Sequence, residues 1–103
     1  MPKYPRRISN ASGQHFVDGE LIEARWKSID ELTLVISVLD RGGAEFDGTI
    51  HFSGVTNQDA INDFLEKTRE MDHILLEGLV EYERNKYSLC RGLEVHARSI
   101  YVS

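Results

Sequence analysis

From His73 to Tyr82 the helical spacing of apolar residues gives way to alternation, with Ile74, Leu76, Gly78, Val80 and Tyr82 on one side and Glu77 and Glu81 on the other. Successive side chains of a strand point to opposite faces, so a period of two specifies an extended chain with one covered face. After a break at Glu83-Arg-Asn-Lys86, a second extended run follows from Tyr87 to Val102. The spacing predicts a long hairpin spanning Asp72 to Ser103, laid down directly after a helix. In a chain of 103 residues that leaves room for only a few further elements.

Those elements can be placed from the same patterns. Met1 to Gln14 carries two prolines and three basic residues but little to bury, and is expected to be a flexible basic arm. From His15 to Lys27 alternation changes face, with Val17, Gly19 and Leu21 sharing one side and Ile22, Ala24 and Trp26 the next. A slip of one residue implies a bulge and a bend. Ser28 to Glu31 is a polar turn, and Leu32 to Leu39 directs Leu32, Leu34, Ile36 and Val38 one way and Thr33, Val35, Ser37 and Leu39 the other. Asp40-Arg-Gly-Gly43 signals a hairpin turn. Glu45 to Phe52 then alternates cleanly, with Phe46, Gly48, Ile50 and Phe52 inward and Glu45, Asp47, Thr49 and His51 outward. A helix follows, with Thr56 or Asn57 as N-cap, Asp59 in its first turn, and an apolar stripe of Ala60, Ile61, Phe64, Leu65, Thr68 and Met71. Gly92 and a phase change between Leu89 and Leu93 predict a bend in the last run.

The expected order is strand, strand, strand, helix, strand, strand. Five strands bent at both ends of the series and closed by one helix match a small barrel. In this order, in the bulge around Gly19 to Ile22, in the Gly42-Gly43 hairpin and in the run Ile74-Leu-Leu-Glu-Gly-Leu-Val80, the chain resembles the OB-fold (oligonucleotide/oligosaccharide-binding) over residues 15–102. The last of these runs looks like the fourth strand of single-stranded-DNA-binding domains. The resemblance implies an all-β domain with one helix over residues 15–103: a five-stranded OB-like barrel with the helix between strands three and four. It also implies a ligand path across strands two and three, between the loop joining strands one and two and the loop joining strands four and five.

Those loops carry Arg25, Trp26 and Lys27 on one edge and Tyr82, Arg84, Lys86 and Tyr87 on the other; Arg41 lies in the strand two to three turn, and His51 and Arg91 could line the surface. Aromatic rings stack on bases and cations neutralise phosphates, so Arg25, Trp26, Lys27, Arg41, His51, Arg84, Lys86, Tyr87 and Arg91 form the expected nucleic-acid-binding set. Trp26 and Tyr82 are also in phase with core positions, and Tyr87, Arg84 and Lys86 also suit a solvated hairpin. Glu45 and Asp47 place acids on the outer face of strand three, where phosphate would pass.

Net charge is −5, with five acids against two bases over residues 59–72. His15, His51, His73 and His96 fall in four different segments, none at a metal-ligand spacing with the lone Cys90, and no phosphate loop or nucleophile elbow is present. Glu81 and Glu83 are expected on an exposed strand face. No metal, cofactor or catalysis is expected. The patterns favour non-catalytic binding of single-stranded DNA or RNA; the alternative is a protein-interaction module or homo-oligomer using Val35 and Leu39, a sheet edge or the acidic helix. A small ligand or an oligosaccharide, with Trp26 as its platform, is the third reading. No run approaches the length needed to span a bilayer, and a soluble, cytoplasmic protein without membrane contacts is expected.

Overall fold

The computed structural model describes residues 3–10, 12–39, 45–71 and 73–103. In chain order the elements are β1 (Arg6–Arg7), β2 (Glu20–Ser28), β3 (Glu31–Leu39), β4 (Glu45–Ser53), α1 (Gln58–Lys67), β5 (Val80–Glu83), β6 (Lys86–Cys90), β7 (Leu93–His96) and β8 (Ser99–Val102). They form two antiparallel four-stranded sheets: a first sheet ordered β2-β3-β4-β8 and a second ordered β1-β5-β6-β7.

The expectation of a five-stranded OB-like barrel with its helix between strands three and four is therefore overturned. The helix follows the fourth strand, eight strands are present among the described residues, and no barrel closes. Two local causes account for the difference. The run from Tyr87 to Val102 is not one strand but three, because Gly92 turns the chain at φ +92° and Ala97-Arg98 breaks it again, sending β7 to the second sheet and β8 to β4 in the first. Part of the N-terminal segment also joins a sheet, as Arg6 and Arg7 pair with Glu81 and Val80, and Ile8 donates its N–H to the Leu79 carbonyl.

Alternation decides the faces of the first sheet. Leu32, Leu34, Ile36 and Val38 of β3 and Ile50 and Phe52 of β4 are buried, and Thr33, Val35, Ser37, Thr49 and His51 lie on the other side. The bulge expected in β2 falls between Leu21 and Glu23. Phe16, Leu76, Leu79, Leu89, Leu93 and Val95 complete the core from the second sheet and its approaches, and α1 adds Ile61. Burying each such side chain contributes about 1.5–3 kcal/mol.

The helix is shorter than its apolar stripe suggests. Ile61 is buried and Phe64, Leu65 and Thr68 are half-buried, whereas Ala60 and Met71 are exposed. Asn57 is the N-cap residue, but its side chain caps nothing: Nδ2 donates to the Glu94 carbonyl at 2.9 Å and Oδ1 accepts from the His96 N–H at 2.8 Å. The amide fastens the start of α1 to β7 instead.

The segment from His73 to Tyr82 is likewise divided. Leu21 donates to the Ile74 carbonyl and Leu76 to that of Gly19, so this part lies against the start of β2. Glu77 and Gly78 then donate to the Leu89 carbonyl and lead into the second sheet. At the crossover Gly78 adopts φ +145°, a conformation that side chains rarely allow, and the inward phase changes. Leu79 and Glu81 are buried in place of Val80 and Tyr82. Glu81, expected on an exposed face with Glu83, is an inward carboxylate.

Candidate nucleic-acid interface

The outer face of the first sheet carries one continuous cross-strand row. Arg25 of β2 opposes Thr33 of β3, Thr33 opposes His51 of β4, and His51 opposes Tyr101 of β8. Opposed residues of an antiparallel pair lie on the same face with Cβ atoms about 4.5–5.5 Å apart, so the four side chains stand side by side. The hydroxyl of Thr33 and Nδ1 of His51 are hydrogen-bonded at 3.1 Å. This bond holds an imidazole whose ring centroid is 5.9 Å from that of Tyr101, with the planes inclined by 32°. Tyr101 is 66% exposed, which leaves the phenol open to a flat ligand. Beside the row, Lys27, Glu31, Thr33, His51 and Ser53 line a shallow depression of about 270 Å³.

Charge is graded along this face. Arg25 and Lys27, with the exposed carboxylate of Glu31 beside Lys27, stand at the end carrying His51 and Tyr101; Glu20 and Asp47, which share a row through Ser37, and Glu45, opposite Leu39, stand at the other. Glu23 lies between them and accepts from Arg25 Nη2 at 2.6 Å. The acids noted on the outer face of β4 thus occupy the half away from the aromatic row.

A second depression, of about 230 Å³, lies beyond the end of β4, where Ser53 of the first depression continues into Gly54. Its cations are Arg84, Lys86 and Arg98. Arg98 packs so tightly over Gly54 that a Cβ there would come within 2.5 Å of Nε. Lys86 is held by Glu83 at 3.0 Å. Nearby, the Tyr82 hydroxyl donates to Glu94 Oε2 at 2.8 Å. Burial first, and then the Glu94 carboxylate, push the Tyr82 phenol up to about 12, so it remains a donor at neutral pH.

The structure brings Arg25, Lys27 and His51 together on one face and Arg84 and Lys86 into the adjoining depression. It does not bring the rest of the expected set to them. Trp26 faces the opposite side of the first sheet, half-buried against the core, with Nε1 donating to Asn62 Oδ1 of α1 at 2.9 Å. Tyr87 is 3% exposed, its ring 5.4 Å from that of Phe52, and offers no surface to a base. Burial, together with the nearby Glu81 carboxylate, raises its phenol. Arg91 lies at the β6–β7 turn beside Phe64, Met71 and Cys90. Arg41 is outside the described residues. Thr33, Arg98 and above all Tyr101 were missed; the signal for Tyr101 was the alternation Ser99-Ile-Tyr-Val102, with Ile100 and Val102 turned inward.

Burial pushes the Cys90 thiol up, and so disfavours the thiolate a nucleophile would need. Among the described residues no group of three His, Cys, Asp or Glu side chains is placed to hold a metal ion, and no helix is long and apolar enough to cross a membrane. What the outer face offers is an open aromatic ring, a bonded imidazole and two exposed cations, Arg25 and Lys27, with Glu23 and Glu31 beside them. Comparison of the chain with protein-family models, with curated proteins and with solved structures returns no match.

Proposed function

We propose that this protein binds single-stranded nucleic acid without catalysis, on the half of the outer face of the first sheet that carries Tyr101. Tyr101, supported by His51, is the stacking surface; Arg25 and Lys27 neutralise phosphates on one side, and Arg98, Arg84 and Lys86 continue the path on the other. The observation that carries this is the cross-strand row Arg25–Thr33–His51–Tyr101, which joins an exposed ring to the Arg25 cation on one open face. Stacking tolerates any base because each has a π-face, and the phosphates supply a salt-sensitive attraction, so binding across DNA and RNA sequences is expected. A cytoplasmic location belongs to the same proposal, supported by the single, buried Cys90.

The test is a titration of labelled single-stranded DNA and RNA oligomers, followed by fluorescence anisotropy at low and at near-physiological salt. Binding that weakens with salt and depends on Tyr101 supports the proposal. No binding at low salt ends it and favours a protein-interaction module, for which the observation is the exposed Leu39, 64% accessible at the acidic end of β3.

A further inference from the structure

β2 is the terminal strand of the first sheet; Leu75 bridges to Glu20 at its start, and no strand pairs with its outer side from Ile22 to Ser28 among the described residues. Ile22, 57% exposed, stands on this edge over a groove that also takes in Ala24, Leu65 and the equally exposed Met71. The unpaired N–H and C=O groups of an open edge are a template for a further strand, and charges on the edge determine which strand it accepts.

The β2 sequence is complementary to itself. When the regular stretch Glu23–Trp26, between the two irregularities of β2, runs antiparallel to that of a second copy with Ala24 opposite Ala24, Glu23 of each meets Arg25 of the other. The two ion pairs fall on the outer face, where Glu23 and Arg25 already lie, and the small Ala24 side chains meet at the centre without crowding. Opposite charges directly across strands are favourable, and like charges there are not. Shifting the register by two residues brings Glu23 opposite Glu23 or Arg25 opposite Arg25, so the charges select one alignment.

We propose that the β2 edge pairs with the β2 edge of a second copy of this chain about a two-fold axis at Ala24, joining two first sheets into one of eight strands. The contact is isologous and closes on itself. It covers Ile22 and exchanges the intrastrand Arg25–Glu23 contact for two between copies. Because the axis is perpendicular to the sheet, both outer faces lie on the same side, with the two Tyr101 residues on the outermost strands roughly 34 Å apart at a strand spacing of ~4.8 Å.

The pairing is tested by light scattering after size exclusion, across a dilution series, on four samples: wild type, Arg25→Glu, Glu23→Arg, and the two variants mixed. Wild type is expected at twice the chain mass at high concentration. Each single variant sets like charges against each other at the axis and is expected at one chain mass. The mixture is expected to recover a heterodimer, since one copy then carries acids at both positions 23 and 25 and the other carries bases at both. Far-ultraviolet circular dichroism confirms that both variants are folded. Wild type at one chain mass throughout the series, or single variants that dimerise as wild type does, overturns the proposal; recovery in the mixture alone excludes loss of folding as the cause.

Discussion

Arg6, on the short first strand, donates from Nε to the carboxylate of Glu81, a residue only 3% exposed in the second sheet. The other oxygen of Glu81 accepts from the Asn85 N–H at 3.1 Å, so one buried carboxylate ties together β1, β5 and the turn into β6. Burial pushes this carboxyl up, but the Arg6 bond, the Asn85 N–H, the Arg6 charge and the Tyr87 hydroxyl together hold it below its ordinary value. A lowered carboxyl contributes stability that is present above the ordinary carboxylate pKa and is lost as pH falls through the native value. Glu81→Gln is therefore expected to lower stability by about 1.5–3 kcal/mol at neutral pH and to flatten the acid limb of the stability curve. Urea unfolding at neutral and acidic pH checks this; equal acid limbs for wild type and variant would show that Glu81 does not set it.

Tyr82 gives the opposite sign. Its phenol is raised to about 12, so the stability it contributes is complete below the ordinary tyrosine pKa near 10 and disappears as pH rises through the native value. Tyr82→Phe is expected to cost about 0.5–1.5 kcal/mol at neutral pH through the lost bond to Glu94. The difference between the phenolate absorbance of wild type and variant should titrate with a midpoint of about 12. A midpoint near the ordinary value would place this hydroxyl in water.

Gly48 leaves space on the inner face of β4 for the ring of Phe16, which a Cβ at position 48 would strike. Gly48→Ala is expected to destabilise by about 1–3 kcal/mol through overpacking. Adding Phe16→Leu to Gly48→Ala should cost less than Phe16→Leu does in the wild-type background, because the smaller side chain relieves the contact. Additive costs in a double-mutant cycle would sever the two residues.

For the proposed interface, Tyr101→Ala should weaken oligomer binding by about 1–3 kcal/mol without changing the unfolding midpoint, since the ring is exposed. Lys27→Ala should instead reduce the salt slope by about one. The emission of Trp26, on the far side of the sheet and bonded to Asn62, should remain steady as the oligomer binds. Quenching of Trp26 with unchanged affinity in Tyr101→Ala would move the site to the opposite face.

Residue order alone carried the local periods. The faces of β3 and β4, the bulge between Leu21 and Glu23 and the helix over Ile61, Phe64 and Leu65 follow from alternation or from spacings of three and four, because each is decided by which side chains share one side of one element. His51 was legible as an outward residue for the same reason. Which elements pair is set by packing between distant segments. Nothing in the run Tyr87 to Val102 states that its first half belongs to one sheet and its last four residues to another, or that Arg6 returns to Glu81 across 75 positions. The inward turn of Glu81 and the seclusion of Tyr87 come from the same cause: a local period records that a strand has two faces, while the partner that covers one of them, and so decides which is the core, lies elsewhere in the chain. The row from Arg25 to Tyr101 exists only because β8 is placed beside β4 in that register.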